Sequence, residues 1–483
     1  MLGLFLAFCF ATNYVANDVL SSTFSFQLFQ VFINSVEEVG FAFGEYKNSI
    51  FKGLFVFLIV FVVCAIKPVI EIPKLIRTAW WLPICAVALT GYAFRYSNYY
   101  LEEFVAPTII PAQIYYAATI PSKGNVPKNE PYKYDLVSDG IEKIVLIVDE
   151  SVRADYMQIN LDIFDNTPYL EAIKNRYANF GISASFTNCS GKTRLALRTG
   201  LLNSEIPIKR KHMFTKSTFW QYAKNAGYEN VFLDGWQPLR SNHSWFGKFE
   251  ETFVDKRLSA DINPFSTIDN RVAKLLRAEL KTPGKQFIFV EKIGMHAPYD
   301  QNIPEGDTYV PSETSVPNAQ ILPDQKQKVI DYARGMKNRV DDFFKILMED
   351  ASFENSLIIY TSDHGQSLYQ APYIATHCTK KKNTHWGEGS VPLMVFTDDV
   401  QMLQQYKSAA EKSWNLSHHE TLFPTLLDAM GFDQTQVAEN YGLGLLEKTY
   451  TEQPYFISGS LNQKRHRRIV IPKDASPIGL VPE

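Results

Sequence analysis

The sequence predicts an α/β domain with a mostly parallel central sheet, preceded by an N-terminal helical transmembrane region. Three observations carry that reading. Near-continuous β-branched runs alternate with amphipathic stretches from residue 143 onward. Two charge-free apolar segments, each bounded by Lys or Arg, lie between Lys52 and Arg95. Carboxylates stand at the ends of the β-branched runs, and all nine histidines fall at residue 212 or later. The 483-residue chain is otherwise average, with 46% hydrophobic and 20% charged residues, a formal net charge of −3 and a mean hydropathy of −0.14. That excludes collagen, wholesale disorder, a disulfide-rich miniprotein and a strongly basic nucleic-acid binder.

The apolar segments are GLFVFLIVFVVCAI, between Lys52 and Lys67, and TAWWLPICAVALTGYAF, between Arg77 and Arg95. A hydrocarbon core of roughly 30 Å takes about 20 helical residues, and fewer when flanking Lys or Arg snorkel. Spans are therefore expected at about 50–70 and 77–95, with the opening segment 1–13, which begins MLGLFLAFCFAT, a weaker one. The connector carries Lys67, Lys74 and Arg77 against Glu71, so it belongs on the cytoplasmic side and everything after Arg95 outside. Phe24, Phe26, Phe29 and Phe32 suit an interfacial helix or packing against the spans. Five prolines from Pro107 to Pro131 break any long helix. The expected division is a transmembrane region (1–96), a linker with a membrane-surface segment (97–140) and a globular domain (141–483).

In that domain, strands are expected at 143–149, 230–234, 286–292, 356–362 and 392–396. Helical patterns occupy TFWQYAKNAG, IDNRVAKLLRAELK and QKVIDYARGMKNRVDDFFKILMED. Apolar strands separated by helices imply a parallel sheet covered on both faces, with ligands at the carboxyl ends of the strands. There the first strand gives Asp149-Glu150-Ser151 and the fourth gives Ser362-Asp363-His364-Gly365. Asp, Glu and His together suit Zn²⁺.

The sequence TNCSGKTRLALRTGL adds a helix expected over Thr193–Leu201. Thr193 is either its N-cap or, at the positive end of the helix dipole beside a metal, a nucleophile. Two motif readings fail on their residues. A P-loop needs glycine where Phe186 stands. A sulfatase needs Cys or Ser two before Pro and four before Arg; Ser190 and Arg194 have the spacing, but Lys192 takes the proline position.

The ordered set IVDESVRADY, TNCSGKT, KIGMHAP, SDHGQSL and NLSHHETLFPTLLDAMG resembles the membrane phosphoethanolamine transferases of the alkaline phosphatase and sulfatase superfamily. The resemblance implies a sulfatase-like catalytic domain in which Glu150, Thr193, Asp363 and His364 hold zinc. Thr193 is then also the nucleophile. His296 and His377 would contact the donor phosphate and steady charge in the transition state. His385, Arg240 and Asn242 are further donor-binding candidates, with His418 either in the site or a cap. The implied reaction takes phosphoethanolamine from phosphatidylethanolamine onto Thr193, releases diacylglycerol, and passes the group to lipid A, a lipopolysaccharide core sugar or another envelope acceptor. It places a multi-pass protein in a bacterial inner membrane with its catalytic domain in the periplasm.

The chain departs from the family pattern at several points. Asp149 stands where many relatives have glycine. The second cysteine of the nucleophile-loop disulfide is missing, which leaves Cys189 and Cys378 to pair with one another or stay free. The family usually has five spans, so the beginning is expected to be shortened. A phosphoglycerol transferase or phosphodiesterase on the same fold, and a noncatalytic envelope-binding protein, are the alternatives. The basic run KRHRR (464–468) reads either as a contact for anionic lipid or acceptor, or as a solvated stretch.

Overall fold

Strand β1 (Lys143–Asp149) buries all seven residues because it is the middle strand of a seven-stranded sheet. The others are β2 (Tyr177–Ala184), β3 (Glu229–Asp234), β4 (Lys256–Leu258), β5 (Gln286–Glu291), β6 (Ser356–Ser362) and β7 (Ser390–Phe396), in the spatial order β2-β7-β6-β1-β5-β3-β4. β1 runs parallel to β5 and β6, with Val145 opposite both Ile288 and Ile358, and β3 runs parallel to β4 and β5. β7 is antiparallel to β6 and β2. A parallel neighbour needs a crossover, and among the described residues between β6 and β7 the only helical piece is the turn Trp386–Gly389. This computed structural model describes residues 2–20, 46–66, 126–162, 164–237, 243–311, 325–349, 355–370, 376–379, 384–459, 461 and 466–473.

Alternation along the central strands supplies two cores. Val145, Ile147, Ile288, Val290, Ile358 and Tyr360 pack to one face, against Val272 and Leu276 of the helix Ile268–Leu280. Ile144, Leu146, Phe287, Phe289, Leu357 and Ile359 pack to the other, against Phe219 and Trp220 of Phe219–Asn225 and Leu426 of Leu422–Ala429. Helices therefore cover both faces, and polar groups gather at the strand ends. A two-stranded sheet, β8 (Tyr455–Ser458) with β9 (Arg467–Val470), completes the described strands.

The chain divides into two compact units, Met1–Ser122 with Thr379–Asn383, and Lys123–Cys378 with Thr384–Glu483. In the first, helix α1 (Leu2–Leu20) runs past the expected 1–13 and packs on α2 (Lys47–Ala65). A Cβ on Gly53 would lie 2.5 Å from the Val15 side chain, and one on Gly3 2.8 Å from Cys64, so glycine lets these helices approach closely. Asp18, near the end of α1, accepts from Ser49 (2.8 Å) and pairs with Lys52 (3.3 Å). Among the described residues α2 alone is long and apolar enough to cross a membrane. The expected span 77–95 and the Phe-rich 21–43 lie outside the described residues.

Burial and the neighbouring Glu447 push the Asp428 carboxyl up to about 6 from its ordinary 3.8. A carboxyl that binds its proton more tightly when folded costs stability as pH rises from about 4 through 6. Asp428→Asn should remove that loss and raise stability at pH 8 by about 1–2 kcal/mol after solvent screening, with little change at pH 3.5. Urea unfolding at the two pH values checks it.

Candidate metal and nucleophile site

β1 and β6 are parallel neighbours with Asp149 opposite Ser362, so the residues that follow them leave the sheet side by side. Glu150, Asp363 and His364 are all buried, and their ligand atoms lie within 4.8 Å of one another. His364 Nε2 is 3.4 Å from Glu150 Oε1 and 3.9 Å from Asp363 Oδ1. Its Nδ1 faces the Gly365 carbonyl at 2.7 Å. A carbonyl only accepts, so Nδ1 carries a proton and Nε2 is left to the cluster. Burial, followed by the nearby Glu150, pushes Asp363 up to about 7. Burial would lower His364, but Asp363 and Glu150 raise it to about 9. Two crowded buried carboxylates and a directed imidazole fit a divalent cation, which would relieve that crowding.

Helix α3 (Ser190–Thr199) starts three residues before the expected Thr193, with Cys189 as its N-cap. This corrects the expected helix start and the reading of Thr193 as the N-cap. Its hydroxyl donates to the Thr187 carbonyl (3.0 Å) and accepts the Thr187 N–H (3.1 Å), fully buried. It closes the loop onto Thr187. The hydroxyl brought to the cluster is that of Ser190, 3.0 Å from His364 Nε2 and 3.2 Å from Glu150 Oε1. One turn on, Arg194 shares its face and pairs with Glu150 (2.8 Å), Asp363 (3.1 Å) and Glu291 (3.3 Å). The Ser190–Arg194 spacing was the available signal. Lys192 does not spoil it, since N–H groups in a first helical turn have no intrahelical partner and proline there is optional.

Asp149 is not in the donor group. It pairs with buried Lys292 and accepts from Tyr360 (2.8 Å). Gly294 crosses directly over it, at φ +55 with a would-be Cβ 2.0 Å from Asp149 Oδ1, so this turn requires glycine. The turn is held by the Met295 N–H donating to the Glu150 carbonyl (2.8 Å). It carries His296, whose ring meets Trp236 edge-on (5.2 Å) and whose charge is felt at Glu150 and His377. His377 stacks on His364 with ring centroids 4.6 Å apart. Burial, then the charge of His364, push its pKa down to about 3, so His377 is neutral. The structure thus gathers Glu150, Asp363, His364, His296 and His377.

It does not gather His385, whose Nδ1 accepts the Gly387 N–H (2.9 Å) to cap a turn. His418 likewise caps a turn through the Glu420 N–H (3.1 Å). Arg240 and Asn242 lie outside the described residues. Cys189 and Cys378 form a disulfide, which fastens the cap of α3 to the residue after His377. Reduction, or Cys378→Ser, is expected to cost about 2–5 kcal/mol of stability and to loosen His377. Thermal melts with and without dithiothreitol check this, and Cys189→Ser/Cys378→Ser should be insensitive to the reductant.

The Sulfatase family model matches residues 142–432. Phosphoethanolamine transferase EptC of Escherichia coli O18:K1:H7 is 21% identical over 264 residues, 53% of this chain and 45% of that protein. Phosphoethanolamine transferase CptA of Salmonella typhimurium is 21% identical over 272 residues, 55% of this chain and 46% of the relative. The chain therefore matches less than half the length of these curated relatives. The zinc complex of the C-terminal periplasmic domain of Escherichia coli EptC aligns with a TM-score of 0.56 and 18% identity, covering 73% of this chain and 98% of that one. The integral membrane lipooligosaccharide phosphoethanolamine transferase A of Neisseria meningitidis aligns at 0.59 and 17%, covering 92% and 86%. These likenesses show a shared fold. On the family match, which spans most of the domain built around β1, the chain belongs to the Sulfatase family.

Proposed function

We propose that the protein transfers phosphoethanolamine from phosphatidylethanolamine to a cell-envelope acceptor, lipid A or a lipopolysaccharide core sugar, with Ser190 as the nucleophile. The observation that carries this is the Ser190 hydroxyl at 3.0 and 3.2 Å from His364 and Glu150, on the first turn of a ten-residue helix. Similarity to the phosphoethanolamine transferases EptC and CptA supports the donor. The apolar helix Lys47–Ala65 supports anchoring to the bilayer that holds such a lipid, in a bacterial inner membrane with the catalytic domain in the periplasm. The multi-pass arrangement and the domain division 1–96, 97–140 and 141–483 belong to the same proposal.

Glu150, Asp363 and His364 would hold zinc, which when bound supplies Lewis-acid polarisation and lowers the pKa of a nearby hydroxyl. Ser190 Oγ attacks the donor phosphorus, and the bond from phosphorus to the diacylglycerol oxygen breaks. The hydroxyl proton passes into the buried cluster, and diacylglycerol leaves with a proton from His296, which lies outside the donor group. Arg194 balances the negative charge of the carboxylates beneath. An acceptor hydroxyl or phosphate then attacks the seryl phosphodiester and restores Ser190. His377 offers a neutral imidazole beside His364 to orient the phosphoryl oxygens.

The test is incubation of the full chain with headgroup-labelled phosphatidylethanolamine or phosphatidylglycerol, followed by peptide mapping. Label from phosphatidylethanolamine on the Ser190 peptide is expected. Label only from phosphatidylglycerol would establish the phosphoglycerol reading, and none from either would leave a noncatalytic binder. Chelation should lower turnover by at least about 100-fold and depress the melting temperature, with zinc restoring both.

A further inference from the structure

The basic run at 464–468 has no part in the chemistry above, yet two of its residues, Arg467 and Arg468, open a strand whose partner is fastened to the nucleophile loop. β8 and β9 pair antiparallel, Ser458 opposite Arg467 and Tyr455 opposite Val470. The Ile457 N–H donates to the Phe186 carbonyl (3.0 Å), which docks β8 on the loop just before Ser190. Lys192, just after Ser190, donates from Nζ to the Gly459 carbonyl (2.7 Å). Ser458 and Thr384 hydroxyls meet at 3.0 Å. The end of β8 is thus tied to the chain on both sides of Ser190. On the partner strand, Arg467 and Arg468 are exposed, with the Arg468 guanidinium 4.7 Å from the Tyr455 ring centroid.

The sequence around this strand pair is locally basic. Residues 455–473 hold Lys464, Arg465, Arg467, Arg468 and Lys473 and no acid, in a protein whose net charge is −3. Such an island raises the local concentration of anions within a Debye length of about 8–10 Å. The proposed donor gains little from it, because phosphodiester and ammonium cancel in its headgroup. A phosphate monoester carries about −1.5 to −2 at neutral pH and gains from every arginine nearby.

The geometry points to β9, through Arg467 and Arg468, as the docking strip that presents a phosphate-bearing acceptor glycolipid to Ser190. This rests on the transfer reading above but is tested apart from it. The full chain in zwitterionic detergent is titrated with diphosphoryl lipid A and with its dephosphorylated backbone, and binding is measured without turnover. Arg467→Gln/Arg468→Gln should weaken diphosphoryl lipid A binding about tenfold and flatten its salt dependence, leaving the dephosphorylated backbone unaffected. Arg467→Lys/Arg468→Lys should keep most of the binding, which separates charge from folding. In transfer assays the Gln pair should raise KM for that acceptor while leaving hydrolysis of a soluble phosphoethanolamine ester unchanged. Equal weakening towards both lipid A forms, unchanged binding, or an effect seen only with vesicles containing phosphatidylglycerol would overturn it. Failure of wild-type transfer with intact lipid A binding would count against the donor reading and not against this one.

Discussion

Ser190→Ala is expected to lower turnover by at least about 10³-fold and to abolish any covalent phosphoethanolamine adduct. The hydroxyl is the only one within 3.2 Å of both His364 Nε2 and Glu150 Oε1 among the described residues. Thr193→Val should behave differently. It leaves Ser190 in place but strips the Thr187 N–H and carbonyl of their buried partner, so about 1–3 kcal/mol of stability is lost. The surviving folded enzyme should still form its adduct, at a rate reduced by loosening of the loop. Intact mass and peptide mapping after a single turnover distinguish the two residues. An adduct on Thr193, or an active Ser190→Ala, would return the nucleophile to the later position.

That contrast shows what could be read in the chain and what could not. Glu150, Asp363 and His364 were legible because two apolar strands each run straight into their polar ends, and parallel neighbours must deliver those ends together. The start of α3 was not. Thr193 has the chemistry of an N-cap and Cys189 does not, so local preference favours the later start. Loop bonds between Thr187 and both Cys189 and Thr193 accompany a helix that starts three residues earlier. A shift of that size puts the Ser190 hydroxyl beside Glu150 and His364. β2 escaped for a similar reason. Asn179 and Gly181 interrupt its pattern at an irregularity in the pairing with β7, where Asn179 Oδ1 accepts the Gly181 N–H (3.0 Å). His385 and His418 each accept a backbone N–H through Nδ1, a use that sequence alone does not separate from a place in the site.

Arg194→Met should cost about 3–5 kcal/mol in metal-free protein, because three buried carboxylates lose the guanidinium that joins them. Methionine fits the volume, so the loss is electrostatic and must depend on pH. In the wild type, burial raises the Glu150 pKa but Arg194 overrides it and holds the carboxyl well below the ordinary range. A depressed folded pKa contributes stability above the unfolded value near 4.5, and that contribution is lost as pH falls. Without Arg194 burial is opposed only by His364 and His296, so the folded pKa moves up and the stability contributed at high pH shrinks. The two proteins should therefore differ least near pH 4 and most near pH 8. Arg194→Lys keeps the charge but lacks the fork that reaches Glu150, Asp363 and Glu291 together, so it should recover only part of the difference. Urea unfolding with chelator at pH 5 and pH 8 reads all three. A pH-independent loss would mean that packing, and not the pairing of Arg194 with the carboxylates, holds this end of the sheet.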